Sequence, residues 1–307
     1  MLRAMAGGLS LLLCLCGCKP AEVVHPKAIV GAVLLDGQGG PPLSDSVVLI
    51  ESGKIAAAGP RGAIAIPQGS ETVDGSSKYV VPYPLDVCPQ SEPPGMVRAA
   101  TADEARQQVE KLIAAHATVI HMASLAEPVA QAAMEAARAA SIPVIAHIAT
   151  HAEAETMLAA GAAGFVGMIR DRPVEPALAA RVRDLRIFFA PALGSVAPAP
   201  GSTLDTQDIA KRNTLRLFQA GVPIAVATAG GRYPRELELL AEAGIPPLDI
   251  VVAATRNSAS ALGKLASEGT IQPGKVANLM LLSADPGIDV HNLQSVAMRM
   301  TTSVLSR

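Results

Sequence analysis

Tryptophan is missing from this 307-residue chain, and the other aromatics amount to 3 Tyr and 4 Phe. Basic runs are missing too, and the formal net charge is -2. A nucleic-acid surface needs a positive stripe and aromatic platforms for stacking, so these shortages exclude that class of partner. Cysteine is scarce where a framework would need it. Of 4 cysteines, Cys14, Cys16 and Cys18 crowd the amino terminus and only Cys88 lies beyond them. One thiol closes no intramolecular disulfide, so stability must come from packing. There is no Gly-x-Ser-x-Gly elbow for a serine nucleophile. The glycine clusters Gly37-Gln38-Gly39-Gly40 and Gly230-Gly231-Arg232 lack the strand and helix context of a phosphate loop and read as turns. What the chain does have is aliphatic bulk. Hydrophobic residues make up 50% and aromatics 2%, enough for a large Ala, Val, Leu and Ile core in one domain with a small appendage.

At the amino terminus Met1-Leu2-Arg3 supplies a positive charge and Leu9-Ser10-Leu11-Leu12-Leu13 an apolar run, the layout of an export signal. A permanent span of about 30 Å of hydrocarbon takes roughly 20 apolar residues, more than this run offers. Leu15-Cys16-Gly17-Cys18 resembles a bacterial lipobox. That resemblance implies a signal peptide over 1–17, cleavage before Cys18, lipidation of its thiol, and a linker over 18–27. The expected protein is exported and held to a lipid membrane through Cys18, in the periplasm or at the cell surface, because each buried methylene contributes about 0.8 kcal/mol. The competing reading is an ordinary cleaved signal peptide with incidental cysteines.

Two patterns divide the rest. From Ala28 to about Val81, short apolar runs such as Val47-Val48-Leu49-Ile50 alternate with turns at Asp36-Gly37 and Ser52-Gly53, which predicts a small antiparallel β unit. Gly269 to Leu282 repeats that texture, so segments 28–81 and 265–307 are expected to pair as one composite β domain. Between them, 82–264 alternates Ala-rich helices with buried apolar runs: Ala117 to Met122, Pro143 to Ile148, Phe165 to Ile169, Ile187 to Ala190 and Pro223 to Ala227. Thr101-x-x-Glu104, Ser124-x-x-Glu127 and Thr150-x-x-Glu153 have capping-box spacing at predicted helix starts. The fold class is therefore α/β with a parallel sheet. Chemistry in such folds is placed at the C-terminal strand ends, here His121, His147, Gly167, Ala192 and Ala229.

Val80-Val81-Pro82-Tyr83-Pro84-Leu85-Asp86-Val87-Cys88-Pro89-Gln90, Ala220 to Ile224, Arg235 to Gly244, Ala253-Ala254-Thr255-Arg256-Asn257-Ser258-Ala259 and Gly269 to Leu282 together resemble the metal-dependent amidohydrolases, in the imidazolonepropionase and prolidase-like branch. The resemblance implies a (β/α) barrel of TIM type with a small β-sandwich-like domain. It also implies one or two divalent metals held by His-x-His on the first strand, often a carboxylated lysine on the fourth, histidines on the fifth and sixth, and an aspartate on the eighth. Carried onto this chain, His-x-His falls on Cys88 and Gln90, the lysine on His121, the fifth-strand histidine on His147, the sixth on Gly167 and the aspartate on Ala229. Only 14 residues, Val87 to Ala100, separate Asp86 from the helix opening at Thr101, whereas a βα step takes roughly 30. About six barrel-type strands remain, so a partial or distorted barrel is expected, with edges that a loop over Ser91 to Met96 or self-association into a homo-oligomer would cover.

A hydrolytic metal needs about three protein ligands and an open position, and the water it activates needs a base. Loss of these groups predicts that the family reaction, hydrolysis of non-peptide C–N bonds, is abolished. The leading expectation is a membrane-anchored binding or accessory protein with a small-molecule pocket and no cofactor. The alternative is a surviving C–N hydrolase with zinc or another divalent metal held by Cys88, His121 and His147. Asp86 is expected to be structural, His116 a partner of a helix C-terminus, and His151 a solvated first-turn residue. A Cys88 and His147 nucleophilic dyad would require proximity and a depressed thiol pKa.

Overall fold

The computed structural model describes residues 25–195, 205–301 and 304–306. The expected signal peptide, Cys18 and most of the loop from Ser195 to Ser202 lie outside the described residues.

The chain opens with β1 (Lys27–Leu34), β2 (Leu43–Glu51), β3 (Lys54–Pro60), β4 (Glu71–Asp74) and β5 (Tyr79–Pro82). Ser52 and Gly53 close the β2–β3 hairpin with φ of 50° and 74°, the two-residue turn whose twist matches antiparallel strands. Near the other end, β10 (Leu279–Leu282), β11 (Val296–Thr301) and β12 (Val304–Ser306) join the same sheet. Its order is β12-β11-β10-β5-β1-β2-β3 with β4 beside β1. Because β10 pairs with β5, both ends of the chain enter one sheet. β10 is buried on both faces. Leu279 and Leu281 enter a core with Ile29, Val48 and Val80, while Met280 and Leu282 enter the larger core of the middle region, the period-two alternation of a strand. The preceding turn is held by Lys275, whose Nζ donates to the Leu265 carbonyl at 2.7 Å and to Thr270 Oγ1 at 2.6 Å.

The middle region runs α1 (Ala102–Ala114), β6 (Ile120–Met122), α2 (Glu127–Ala139), β7 (Val144–Ile148), α3 (His151–Ala160), β8 (Gly164–Gly167), α4 (Pro176–Asp184), β9 (Phe188–Ala190), α5 (Asp205–Gln219), α6 (Tyr233–Glu242) and α7 (Pro247–Val252). Thr101 and Thr150 cap α1 and α3 in full capping boxes, each hydroxyl accepting the N3 amide while the N3 glutamate reaches back. Ser124 does not cap α2. That helix starts after Ala126 without a side-chain cap, because Pro128 presets φ in the first turn and has no N–H to satisfy.

Strands β6-β7-β8-β9 form a parallel sheet, and three extended segments continue it. Val97 bridges Met122 and Ile224 bridges Phe189, both parallel; Val87 N–H then donates to the Val226 carbonyl at 2.8 Å. Where about six strands were expected, four pair regularly and the remainder are single bridges or isolated bonds. Among the described residues no backbone hydrogen bond joins Leu85–Cys88 to the Val97 segment, and 87–100 contains no helix. Phe165 and Phe189, each 1% exposed, anchor the helix-facing core, and truncation of either to Ala removes about 3–5 kcal/mol. The opposite face is narrow and packed by small side chains, among them Cys88, Ala190, Ala192, Ala225 and Ala227. After α7 a π-helical turn over Ala253–Asn257 brings two polar side chains onto the last segment. Asn257 Nδ2 donates to the Ile224 carbonyl at 2.8 Å, and Ser258 Oγ accepts from Val226 N–H at 3.0 Å. The motif that carried the resemblance here therefore ties the last parallel segment to the π-helical turn.

Candidate functional site at the strand ends

His121 and His147 lie two residues apart in parallel register, since His121 faces Ile145 across β6 and β7. Side chains at a spacing of two share a face, and the two rings meet edge to face with centroids 5.3 Å apart. His121 Nδ1 and His147 Nε2 are hydrogen-bonded at 3.0 Å. Cys88 projects from the Leu85–Cys88 segment toward them, and its sulfur and one nitrogen of each histidine all lie within 4.8 Å of one another. Gln90, expected at the second position of the lost His-x-His pair, is exposed and contributes its backbone carbonyl, which accepts from the Cys88 thiol at 3.0 Å.

Burial sets the charge state of this trio. It pushes the Cys88 thiol up to about 11, with Asp86 adding to the rise. It draws His147 down to about 4, helped by His121 and Arg98, and lowers His121 as well. At neutral pH the cluster is a thiol and two neutral imidazoles. A protonated thiol that donates to a carbonyl is no nucleophile, so the condition for a Cys88 and His147 dyad is not met.

As a metal centre the donors suit one borderline-soft ion. Two imidazole nitrogens and a sulfur from separate strands make three ligands of the types zinc prefers, and the 3.0 Å between the ring nitrogens is close to the ~3.3 Å that two zinc–nitrogen bonds span at a tetrahedral angle. They do not suit a pair of ions, because among the described residues no carboxylate or lysine joins the cluster.

The other half of the mouth is built differently. Gly167 at the end of β8 has φ of 110°, and a Cβ there would stand 2.2 Å from the Ile148 carbonyl oxygen. Only glycine fits, so the position onto which the resemblance carries the sixth-strand histidine is closed by the backbone itself. Ala192 and Ala229 also have left-handed φ, 50° and 43°. Ala229 offers its N–H to the Cys88 carbonyl at 2.7 Å and no acid or base to the site. Asp86, read as structural, links the first and last segments: Oδ1 accepts from Cys88 N–H at 3.0 Å and Thr228 N–H at 3.1 Å, and Oδ2 from the Thr228 hydroxyl at 2.6 Å.

A cavity of about 340 Å³ opens between these halves, lined by His147, Gly167 and Ala229 and by Ser91, Arg98 and Ser124. None of the last three was read as a site residue in the sequence; they come from loops whose closeness depends on the fold. Glu153 also borders the cavity, but its carboxylate accepts from Ala149 and Thr150 N–H. Glu236 was missed as well. It is 0% exposed and accepts from Leu193 N–H at 2.8 Å and Gly194 N–H at 2.7 Å, fixing the loop after β9. Burial outweighs those two amides and raises its carboxyl to about 7. Its helical spacing with Leu239 and Leu240 is the signal that it faces inward.

His151 is not solvated. It is 1% exposed because the 170–172 loop folds over it: its N–H donates to Asp171 Oδ1 at 2.9 Å, Arg172 donates to its Nδ1 at 2.8 Å, and Nε2 is buried without a partner. His116 follows the Ala115 cap of α1 in the left-handed region, φ 59°.

No family model matches this chain, and no curated protein matches its sequence. Solved structures do match. The putative prolidase from Bifidobacterium longum superposes with a TM-score of 0.77 at 20% identity, covering 93% of this chain and 95% of that one. Molinate hydrolase gives 0.79 at 14% identity over 92% and 94%, and A. niger ochratoxinase 0.78 at 15% over 92% and 95%. At such identities the likeness is one of fold, and at that level the resemblance to the amidohydrolases holds over nearly the whole chain.

Proposed function

We propose that this amidohydrolase-fold chain is an exported protein, anchored in a membrane through lipid on Cys18, that has lost the C–N hydrolysis of its relatives and serves as a binding or accessory protein. The single observation carrying this reading is Gly167, where the backbone excludes any side chain. Loss of a ligand by substitution is reversible in principle; loss by backbone rearrangement removes the place for it. Ala229 supports the same conclusion, since no carboxylate remains there to take a proton from an attacking water. The ligand site in this reading is the cavity of about 340 Å³ at the strand ends. The parallel segments are taken as a partial barrel open between Val97 and Leu85–Cys88, and self-association covers the open side. The composite β domain comprises 28–81 and 265–307, and the barrel-like part 82–264.

The test is elemental analysis of the purified mature protein together with turnover assays on N-acyl amino acids and cyclic imides. Near-zero zinc and no turnover are expected. A stoichiometric, tightly held ion accompanied by hydrolysis overturns the proposal. Mass spectrometry of the amino-terminal peptide tests the anchor separately, because unmodified Cys18 removes it.

A second reading is favoured by the convergence of Cys88, His121 and His147 within 4.8 Å: a surviving C–N hydrolase with one zinc ion on these three residues. Bound zinc would lower the pKa of its water toward ~7 and polarise a scissile carbonyl. One of the two hydrogen-bonded ring nitrogens carries the shared proton, so one imidazole would have to change tautomer and Cys88 would have to surrender its proton for all three to bind the ion. His147→Ala should then abolish both metal content and activity.

A further inference from the structure

Another cavity lies away from the strand ends. It measures about 480 Å³ and is walled by Tyr83, Tyr233, Leu237, Met280, Leu293 and Arg299; it shares no lining residue with the cavity at the mouth. It borders the entry to the first parallel segment, just before the helix-free stretch 87–100, so its lining comes from α6, β10, β11 and the turn preceding β11 instead of a crossover helix. Its volume suits a small molecule, and its walls are mainly aromatic and aliphatic.

Two charges face this space, and they differ in what they have left to offer. Asp86 already accepts three hydrogen bonds, from Cys88 N–H, Thr228 N–H and the Thr228 hydroxyl. Arg299, opposite Met280 in the β10–β11 register, is exposed, and its guanidinium has no hydrogen bond or ion pair among the described residues. A guanidinium is a planar fork that matches a carboxylate with two parallel N–H bonds. We propose that this cavity binds a small carboxylic acid with an aromatic or aliphatic body, the body lying between Tyr83, Tyr233 and Leu237 and the carboxylate on Arg299. The site is independent of whether the strand ends hold a metal or catalyse anything.

The test is a fluorescence titration of the full mature chain with 1-naphthoate, which the absence of Trp leaves unobscured. Neutral 1-naphthylmethanol and cationic 1-naphthylmethylammonium serve as controls. Naphthoate should bind with a Kd on the order of 1 mM or tighter, and the neutral analogue about tenfold more weakly. Arg299→Gln should reduce naphthoate to the level of the neutral analogue. Gln294→Phe, at an exposed lining position, should block all binding while leaving the urea midpoint unchanged. Tighter binding of the ammonium, naphthoate affinity unchanged in either variant, or no binding by ~10 mM overturns the proposal.

Discussion

The two halves of the strand-end mouth are built in different ways. On one side Cys88, His121 and His147 still present donor side chains, within 4.8 Å of one another. On the other, Gly167, Ala192 and Ala229 present almost none, and all three have positive φ, 110°, 50° and 43°. The first half differs from a hydrolytic centre by the identity of its side chains, the second by the path of its backbone. A site of the first kind can be rebuilt by substitution; at Gly167 in the second half it cannot, because a new side chain there meets the Ile148 carbonyl of the neighbouring strand.

The largest effect that would break this contrast concerns Gly167. Placing a side chain 2.2 Å from the Ile148 carbonyl forces β7 and β8 apart or drives the residue out of its left-handed conformation. Gly167→His should therefore lose on the order of 3 kcal/mol or more in urea unfolding. A variant as stable as the parent would show that the second half is as easily refitted as the first.

Next in size is the anchor of that second half. Glu236 holds the loop after β9 through two N–H bonds, with its carboxyl raised from 4.5 to about 7 by burial. A raised carboxyl binds its proton more tightly in the folded than in the unfolded state, so its contribution to stability is present in full below about pH 4.5 and is lost as pH rises to about 7. The integrated loss is about 3 kcal/mol. Glu236→Gln should remove this slope, at the cost of one amide facing the glutamine NH₂ group. Stability curves from pH 4 to 8 that fall in parallel for both proteins would show that the slope arises elsewhere; His147, lowered to about 4, contributes with the opposite sign in both and cancels in the difference.

In the first half, the anchor that matters is local. Thr150 caps α3 directly after β7, keeping the backbone that follows His147 in place. Thr150→Ala should cost about 1 kcal/mol and leave the distance between the two imidazoles unchanged. An NMR titration of the histidine resonances checks this: altered His147 titration would mean that even the intact half depends on its helix cap for geometry.

How much of this the sequence revealed follows the range of each interaction. Thr101 and Thr150 declared themselves because a capping box is complete within four residues. His121 and His147 could be placed at strand ends from the apolar runs before them. Ser124 misled because Pro128 decides the start of α2, a competing local signal. The partners of Glu236 and the burial of His151 were illegible for a different reason: helical spacing marks Glu236 as inward-facing, but Gly194, which it holds, is 42 residues away, and the loop that covers His151 lies 20 residues on. The left-handed backbone at Ala229 was equally hidden, since alanine gives no hint of positive φ.

That last residue sets the smallest and most discriminating test. Aspartate is among the few non-glycine residues that tolerate the left-handed region, because its short carboxylate can bond to nearby backbone. At φ 43° with a half-buried side chain, Ala229→Asp should change stability by no more than about 0.5 kcal/mol. It restores a candidate proton acceptor at the mouth without touching Gly167. If the loss of hydrolysis were a matter of that one carboxylate, the variant would gain zinc-dependent turnover; if the second half fails because its backbone excludes a ligand, the variant will be stable and inert. Unchanged urea midpoint with no turnover is the expected pair of results, since a base without a bound metal beside it has no activated water to deprotonate.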